Sequence, residues 1–310
     1  RYPLVTGVQT CALPISSKNS RANRGIMEII NRKQRMFSVA RDYRREKKSV
    51  GFVPTMGALH EGHLSLIREA RLRCDVVIVS IFVNPTQFNQ KEDFEKYPRD
   101  ITADSAMLAD LGVDYVFAPD AEEIYGVDFA SFVEAGPLGN LFEGASRPGH
   151  FRGVATVVTI LLNTVRPDFA FFGQKDAQQV AVVRRLVREL GFECEVVALP
   201  IVREASGLAM SSRNERLSAE DRARAAIISR GLFEAKQIFE SGETRTARLV
   251  EKAREVISEE PSIEIDYIAV VDSDDFGPIE KISDRPAIMI VAVTVAGIRL
   301  IDNIEINSGQ

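Results

Sequence analysis

The run Val76-Val-Ile-Val-Ser-Ile-Phe-Val83 constrains the fold more than any other feature of the chain. Its β-branched side chains favour extended backbone. A continuous apolar run without alternation is the pattern of a strand covered on both faces, as in a parallel sheet flanked by helices. The neighbouring sequence supplies both partners. Val50 to Val53 is a second strand-like run, and Leu64, Ile67 and Ala70 follow it at helical spacing. Asp100 to Leu111 reads as a helix stopped by Gly112, and Tyr115 to Ala118 as a short strand. Gly153 to Val165 is a helix ended before Pro167, Phe169 to Phe172 a strand, Ala177 to Leu190 a helix closed by Gly191, and Val196 to Leu199 a strand. This alternation predicts an α/β domain with a Rossmann-like parallel sheet.

After about residue 202 the pattern changes. Ala219 to Phe239 and Thr246 to Ile257 read as helices, and Ile265 to Val271, Ile288 to Val295 and Arg299 to Ile304 as strands. A second, smaller α+β domain is expected over 202–310, joined to the domain 27–201 through Pro200 to Ala209. Residues 1–26 show no periodicity and no clean signal peptide. They read as a foreign leader, translated adapter sequence ahead of a native start at Met27.

The chain has 310 residues, 27% charged, with a net charge of −5. No basic surface argues for nucleic acid, and no apolar stretch reaches the length of a membrane span. An anionic substrate therefore needs local positive charge, from helix N-termini and a few placed Lys or Arg. Cys11, Cys74 and Cys194 are far apart and lack CxxC spacing, which fits a reducing cytoplasm better than a disulfide or zinc framework.

Five segments carry chemistry. Met56-Gly-Ala-Leu-His-Glu-Gly-His63 leaves a strand and enters a helix, where ligands of open α/β sheets bind. His60 and His63 are three apart, so they project from one face and suit a phosphate that gains charge in a transition state. A pair of surface histidines, or half of a metal site, is the alternative; Glu61 is misplaced for the zinc motif HExxH. Gln87, after the buried strand, suits a hydroxyl or carboxylate, or is part of a plain Asn-Pro turn. Gly173-Gln-Lys-Asp176 offers close backbone approach and a lysine for phosphate, with Gln179 one turn on; Asp176 is expected to cap the next helix or to hold a metal-bound water. Met210-Ser-Ser-Arg213 suits a triphosphate clamp. Glu143 to Gly153, with His150, Arg147 and Arg152, reads as a flexible surface loop or a mobile cationic segment.

These segments, with Pro54-Thr55, Ser80 to Phe88, Tyr97-Pro-Arg99 and Leu300-Ile-Asp-Asn303, resemble in order the pantoate–β-alanine ligases, a family of the HxGH nucleotidyltransferase superfamily. The resemblance spans about Val50 to Asn303. It implies a Rossmann-like domain with a C-terminal lid, and ATP and Mg²⁺ in a two-step reaction: pantoate carboxylate attacks the α-phosphate, then β-alanine displaces AMP. By resemblance His60 and His63 stabilise the transferring phosphate, with His63 a proton donor. Lys175, Arg213, Ser211 and Ser212 bind ATP phosphates. Met56, Gly57, Ala58, Leu59, Glu61 and Gly62, and likewise Gly173, Gln174, Asp176, Val202 and Met210, form the rest of the ATP site. Gln87 and Gln179 hold pantoate, and Gln87 also meets β-alanine. Gln174 stands where many members have glutamate and is expected to point away from substrate. The Mg²⁺ ligands stay unassigned, and a homodimer is implied. Two rivals remain: a nucleotidyltransferase of the same superfamily that stops at a nucleotide-linked product, and a non-catalytic nucleotide-binding module.

Overall fold

The Val76 run does form a two-sided strand. In the computed structural model, which describes residues 27–89, 94, 95, 97–283 and 285–307, it becomes β3 (Val76–Ile81) of a six-stranded sheet. The leader expected over residues 1–26 lies outside the described residues. Val76 and Ile78 point into one core cluster and Val77 and Val79 into another, on opposite faces of the sheet. That is the period-2 alternation of a strand with both faces covered.

The other strands are β1 (Glu28–Ile30), β2 (Val50–Thr55), β4 (Tyr115–Phe117), β5 (Phe169–Gly173) and β6 (Glu195–Leu199). All pairings in this sheet are parallel and the order is β1-β4-β3-β2-β5-β6. From β2 the chain moves outward through β3 to β4, then returns to β5 on the other side of β2. The switch point lies between β2 and β5, so their carboxyl ends bound the crevice where such sheets bind ligands. Helices α1 (Lys33–Arg45), α6 (His150–Val165) and α7 (Ala177–Glu189) cover one face. Helices α2 (Glu61–Arg73) and α3 (Ile101–Asp110) cover the other. Between α3 and α6 in sequence lie the short helices α4 (Ala121–Tyr125) and α5 (Glu143–Ser146).

The second unit holds an antiparallel sheet, β7 (Ile263–Asp272), β8 (Ala287–Val295) and β9 (Ile298–Ile306), in that order. Helices α8 (Ala219–Arg224), α9 (Ile227–Glu240) and α10 (Thr246–Ile257) precede it. Central β8 is also two-sided. Met289, Val291 and Val293 pack in a core shared with α9 and α10, while Ile288 and Ile290 join Val271 and Phe276 in the core of the first domain. The small sheet is thus wedged between its own helices and the large domain.

Two expectations need correction. Ala219 to Phe239 is two helices, because a tight turn at Ala225-Ala226 buries both Ala225 and Ile228 in the second core. Glu143 to Gly153 is no flexible surface loop. It forms α5 and the first turn of α6, with Glu143 and His150 buried. Its polar residues have distant partners: the Tyr267 hydroxyl donates to Glu143 at 2.9 Å, and Arg299 pairs with Glu143 at 2.7 Å. Buried polar groups with satisfied partners look the same in sequence as solvated ones. Strand β1, α1 and α4 also form where no element is expected from the pattern.

Candidate active site

A cavity of about 650 Å³ opens at the carboxyl ends of β2 and β5, within the usual size for small-molecule sites. The structure brings Met56, His60, Gly62, His63, Gln87, Gly173, Lys175, Asp176, Gln179, Val202, Met210, Ser211, Ser212 and Arg213 into its lining. Arg147, Lys175, Arg213 and Arg216 line it together with the carboxylates of Asp176 and Glu215. A chain of net charge −5 so concentrates positive charge where an anion can enter.

The turn after β2 is tight. Gly57 has φ +79° and Ala58 φ +51°, both in the left-handed region. A Cβ on Gly57 would lie 2.8 Å from the Asp104 carboxylate, which explains the bare position. Asp104, buried on α3, accepts from Ala58 N at 3.0 Å and Leu59 N at 2.9 Å. Left-handed backbone at alanine costs roughly 1–2 kcal/mol, and hydrogen bonds to a buried carboxylate are strong enough to offset it. The sequence does not single out Asp104, because an aspartate on an amphipathic helix looks solvated.

The two histidines cap the helix they begin. His60 Nδ1 accepts from Gly62 N at 3.1 Å, and His63 Nδ1 accepts from His60 N at 3.3 Å. Their rings lie 4.1 Å apart. Burial lowers the pKa of both, with His63 brought to about 3, aided by His60. A neutral imidazole that accepts at Nδ1 carries its proton on Nε2. Both rings are therefore neutral Nε2–H donors.

The helix N-terminus expected to supply positive charge therefore offers few free N–H groups. Gly57 donates to Thr55, Ala58 and Leu59 to Asp104, His60 to His63, Gly62 to His60, and His63 to the His60 carbonyl. Gly57, Ala58, Leu59 and Glu61 are absent from the cavity lining; Leu59 is buried in the core and Glu61 pairs with Arg68 on the surface. On this wall the imidazoles of His60 and His63 remain as side-chain donors lining the cavity.

On the next wall, Gln87 Oε1 accepts from Asn84 Nδ2 at 3.1 Å and its Nε2 lies 2.9 Å from Met56 Sδ. Its carboxamide thus turns a donor toward the cavity. The Gln87 carbonyl accepts from Arg147, and His150 Nδ1 lies 2.9 Å from it. His150, held neutral by burial with a pKa of about 4, also lines the cavity. Gly153 allows α6 to approach this turn, because a Cβ there would sit 2.5 Å from Thr86 O. Beyond Gln87 the wall is apolar, from Phe82, Val154, Val157, Val158 and Leu161.

At the end of β5, Lys175 Nζ lies 3.6 Å from Asp176 Oδ1. Asp176 occupies the N-cap position of α7 but its side chain caps nothing, so the capping expectation does not hold. Burial opposes its ionisation, yet Lys175 and Arg213 hold its carboxyl below the ordinary range. Gln174 lies outside the lining and its carbonyl is bonded by Asn303. Tyr97 and Pro98, from one of the segments that carry the resemblance, also line the cavity.

The sequence matches the profile of the Pantoate-beta-alanine ligase family over residues 28–305. The chain belongs to the pantoate–β-alanine ligase family. Among its relatives, the pantothenate synthetase of Thermosipho africanus is 50% identical over 280 residues, covering 90% of this chain and all of that protein. That of Acidobacterium capsulatum is 54% identical over 257 residues, 83% of this chain and 86% of the relative. A crystal structure of the Thermus thermophilus ligase, 44% identical, superposes with a TM-score of 0.86 over 91% of this chain and 100% of its own. The ligase from Francisella tularensis, 34% identical, matches with a TM-score of 0.72 over 91% of this chain and 99% of its own, in a complex described as containing β-γ ATP and β-alanine.

Proposed function

We propose that this chain condenses (R)-pantoate with β-alanine to pantothenate, using ATP and passing through pantoyl adenylate. The observation that carries the reading is the cavity in which two neutral Nε2–H imidazoles, a lysine and an arginine meet two glutamines and an apolar wall.

Pantoate presents a carboxylate, two hydroxyls and a branched apolar carbon. Gln87 and Gln179 suit its oxygens, and Phe82 with the apolar face of α6 suits its methyl groups. Lys175, Arg213, Ser211 and Ser212 suit the triphosphate. The carboxylate oxygen attacks the α-phosphorus and the bond to pyrophosphate breaks. Charge grows on the non-bridging oxygens, where Nε2–H donors of His60 and His63 stabilise it. The β-alanine amine then attacks the acyl carbon, AMP leaves, and the nitrogen loses its proton. No group of three or more metal-ligating side chains exists among the described residues. Mg²⁺ commonly binds through one or two carboxylates plus substrate phosphates, and Asp176, in the lining beside Lys175, fits that role. The ion supplies charge neutralisation on the leaving pyrophosphate.

The same reading divides the chain into 27–201, which binds ATP and pantoate, and 202–310, which closes over them. Val202 and Met210 to Arg213 reach the cavity from the second unit, and excluding water protects the mixed anhydride. A homodimer is part of the same reading, and sedimentation checks it. The thiols of Cys74 and Cys194, both free, fit a cytoplasmic setting. No helix among the described residues is long and apolar enough to cross a membrane.

Incubation with ATP, Mg²⁺, pantoate and β-alanine should yield AMP and pantothenate in equal amounts. AMP without amide would favour the nucleotidyltransferase alternative, and no turnover would favour the binding module.

A further inference from the structure

Leu300-Ile-Asp-Asn303 stands out in the sequence, yet the reaction as described gives it no task. Asn303 is only 3% exposed and sits on β9, in the second sheet. Its Nδ2 donates to the carbonyls of Gln174 and Lys175, both at 2.9 Å. Two carbonyl acceptors fix the orientation of the amide, since only its nitrogen can donate. The backbone N–H of Asn303 donates to Asp302 Oδ1 at 2.7 Å. Asp302, 4% exposed, takes a bidentate contact from Arg203 at 2.7 and 3.0 Å. Arg203 follows Val202, a lining residue, at the start of the second unit. The first and last parts of that unit are thus tied together directly behind the turn that carries Lys175.

We propose that Asn303 is a positioning residue that holds Lys175 in its working place only while the second sheet is docked on the first domain. The Gln174–Asp176 turn is a single turn of 3-10 helix without a side-chain cap. Short 3-10 segments are weakly held by their own hydrogen bonds, so an external clamp decides where the turn sits. Asn303 supplies two bonds to it from a strand whose position depends on packing of Val271, Phe276, Ile288 and Ile290 against the first domain. The clamp acts on the main chain and leaves the Lys175 ammonium free for phosphate. Adenylation then requires docking, whereas attack by the amine on a preformed adenylate does not use the lysine in this way. The inference rests on the proposed function above.

The test separates the two half-reactions. Pantoate-dependent ATP–pyrophosphate exchange reads adenylation, and pantothenate formation from supplied pantoyl adenylate and β-alanine reads the second step. Asn303→Asp is nearly isosteric but sets an oxygen against two carbonyls, and Asn303→Ser is a milder variant should the first fail to fold. Misplacing a reacting group by about 1 Å can cost about 10²-fold, so we expect exchange to fall about 10- to 100-fold in either variant while the second step changes less than about 3-fold. In a Lys175→Ala background, Asn303→Ser should change exchange by less than about 3-fold, since residues acting through one another are non-additive. Equal loss in both half-reactions, an additive double variant, or unchanged exchange each overturns the inference. A wild-type chain without exchange overturns the proposed function and this inference with it, and is distinguished from the other failures by needing no variant.

Discussion

The turns Thr55 to His63 and Gly173 to Asp176 leave adjacent strands of one sheet and line one cavity, yet they are held differently. The first is held from within its own domain. Thr55 and the two histidines bond the turn to itself, and Asp104 adds its carboxylate from α3. The second has no side-chain cap and takes its bonds from Asn303 in the other unit. The difference separates two kinds of requirement. Donors to a transferring phosphate have to be in place before substrate arrives, because preorganisation is what makes them effective. A cation that binds phosphate can be made conditional on domain docking without disturbing the donors.

This contrast is open to direct attack. The largest effect should come from His63→Ala, with exchange reduced on the order of 10²–10³-fold, the size of one transition-state donor. Exchange near the wild-type rate in that variant would remove the imidazoles from the reaction. Asp104→Ala should come next. It strands the buried N–H groups of Ala58 and Leu59, and thermal or urea unfolding should show a loss of about 2–4 kcal/mol. Exchange should also drop, because His60 follows directly. Asp104→Asn keeps one acceptor and should lie between; a stability equal to wild type in both variants would mean that the turn holds itself.

The smallest effect on exchange concerns pH. Native His63 and His150 have pKa values of about 3 and about 4, against an ordinary value of 6.5. Between those limits the unfolded chain binds protons that the native chain does not, so their contribution to stability is full above about pH 6.5 and is lost as pH falls to about 4 for His150 and about 3 for His63. Rates behave differently. A ring already neutral at neutral pH gives no acid limb near about 6.5, so exchange should vary by less than about 2-fold between about pH 8 and about pH 6 if imidazoles alone set it. A limb centred near about 6.5 would show that the working histidine is charged and that the first turn changes on substrate binding.

Where the sequence was read well, the reason is local. The run from Val76 and the spacing of Leu64, Ile67 and Ala70 record burial residue by residue, because period 2 and period 3.6 follow from backbone geometry alone. The HxGH segment was legible as part of a site because it falls between a strand and a helix, and Lys175 and Gln87 because they follow strands in the same way. Resemblance added the substrates, which no spacing in this chain specifies. Glu143 to Gly153 misled for the opposite reason. Its polarity reflects partners far along the chain, Tyr267 and Arg299, and composition cannot tell a buried pair from two solvated charges.

The sequence by itself thus determined the parallel sheet, the smaller second unit and most of the side chains that line the cavity. Only the tertiary structure decided that the N–H groups of Gly57, Ala58, Leu59, His60, Gly62 and His63 are already bonded, that both imidazoles are neutral donors, and that Lys175 is set from β9. Those properties depend on which atoms remain unbonded after the chain has packed, and hydrogen bonds between distant residues leave no period in a sequence.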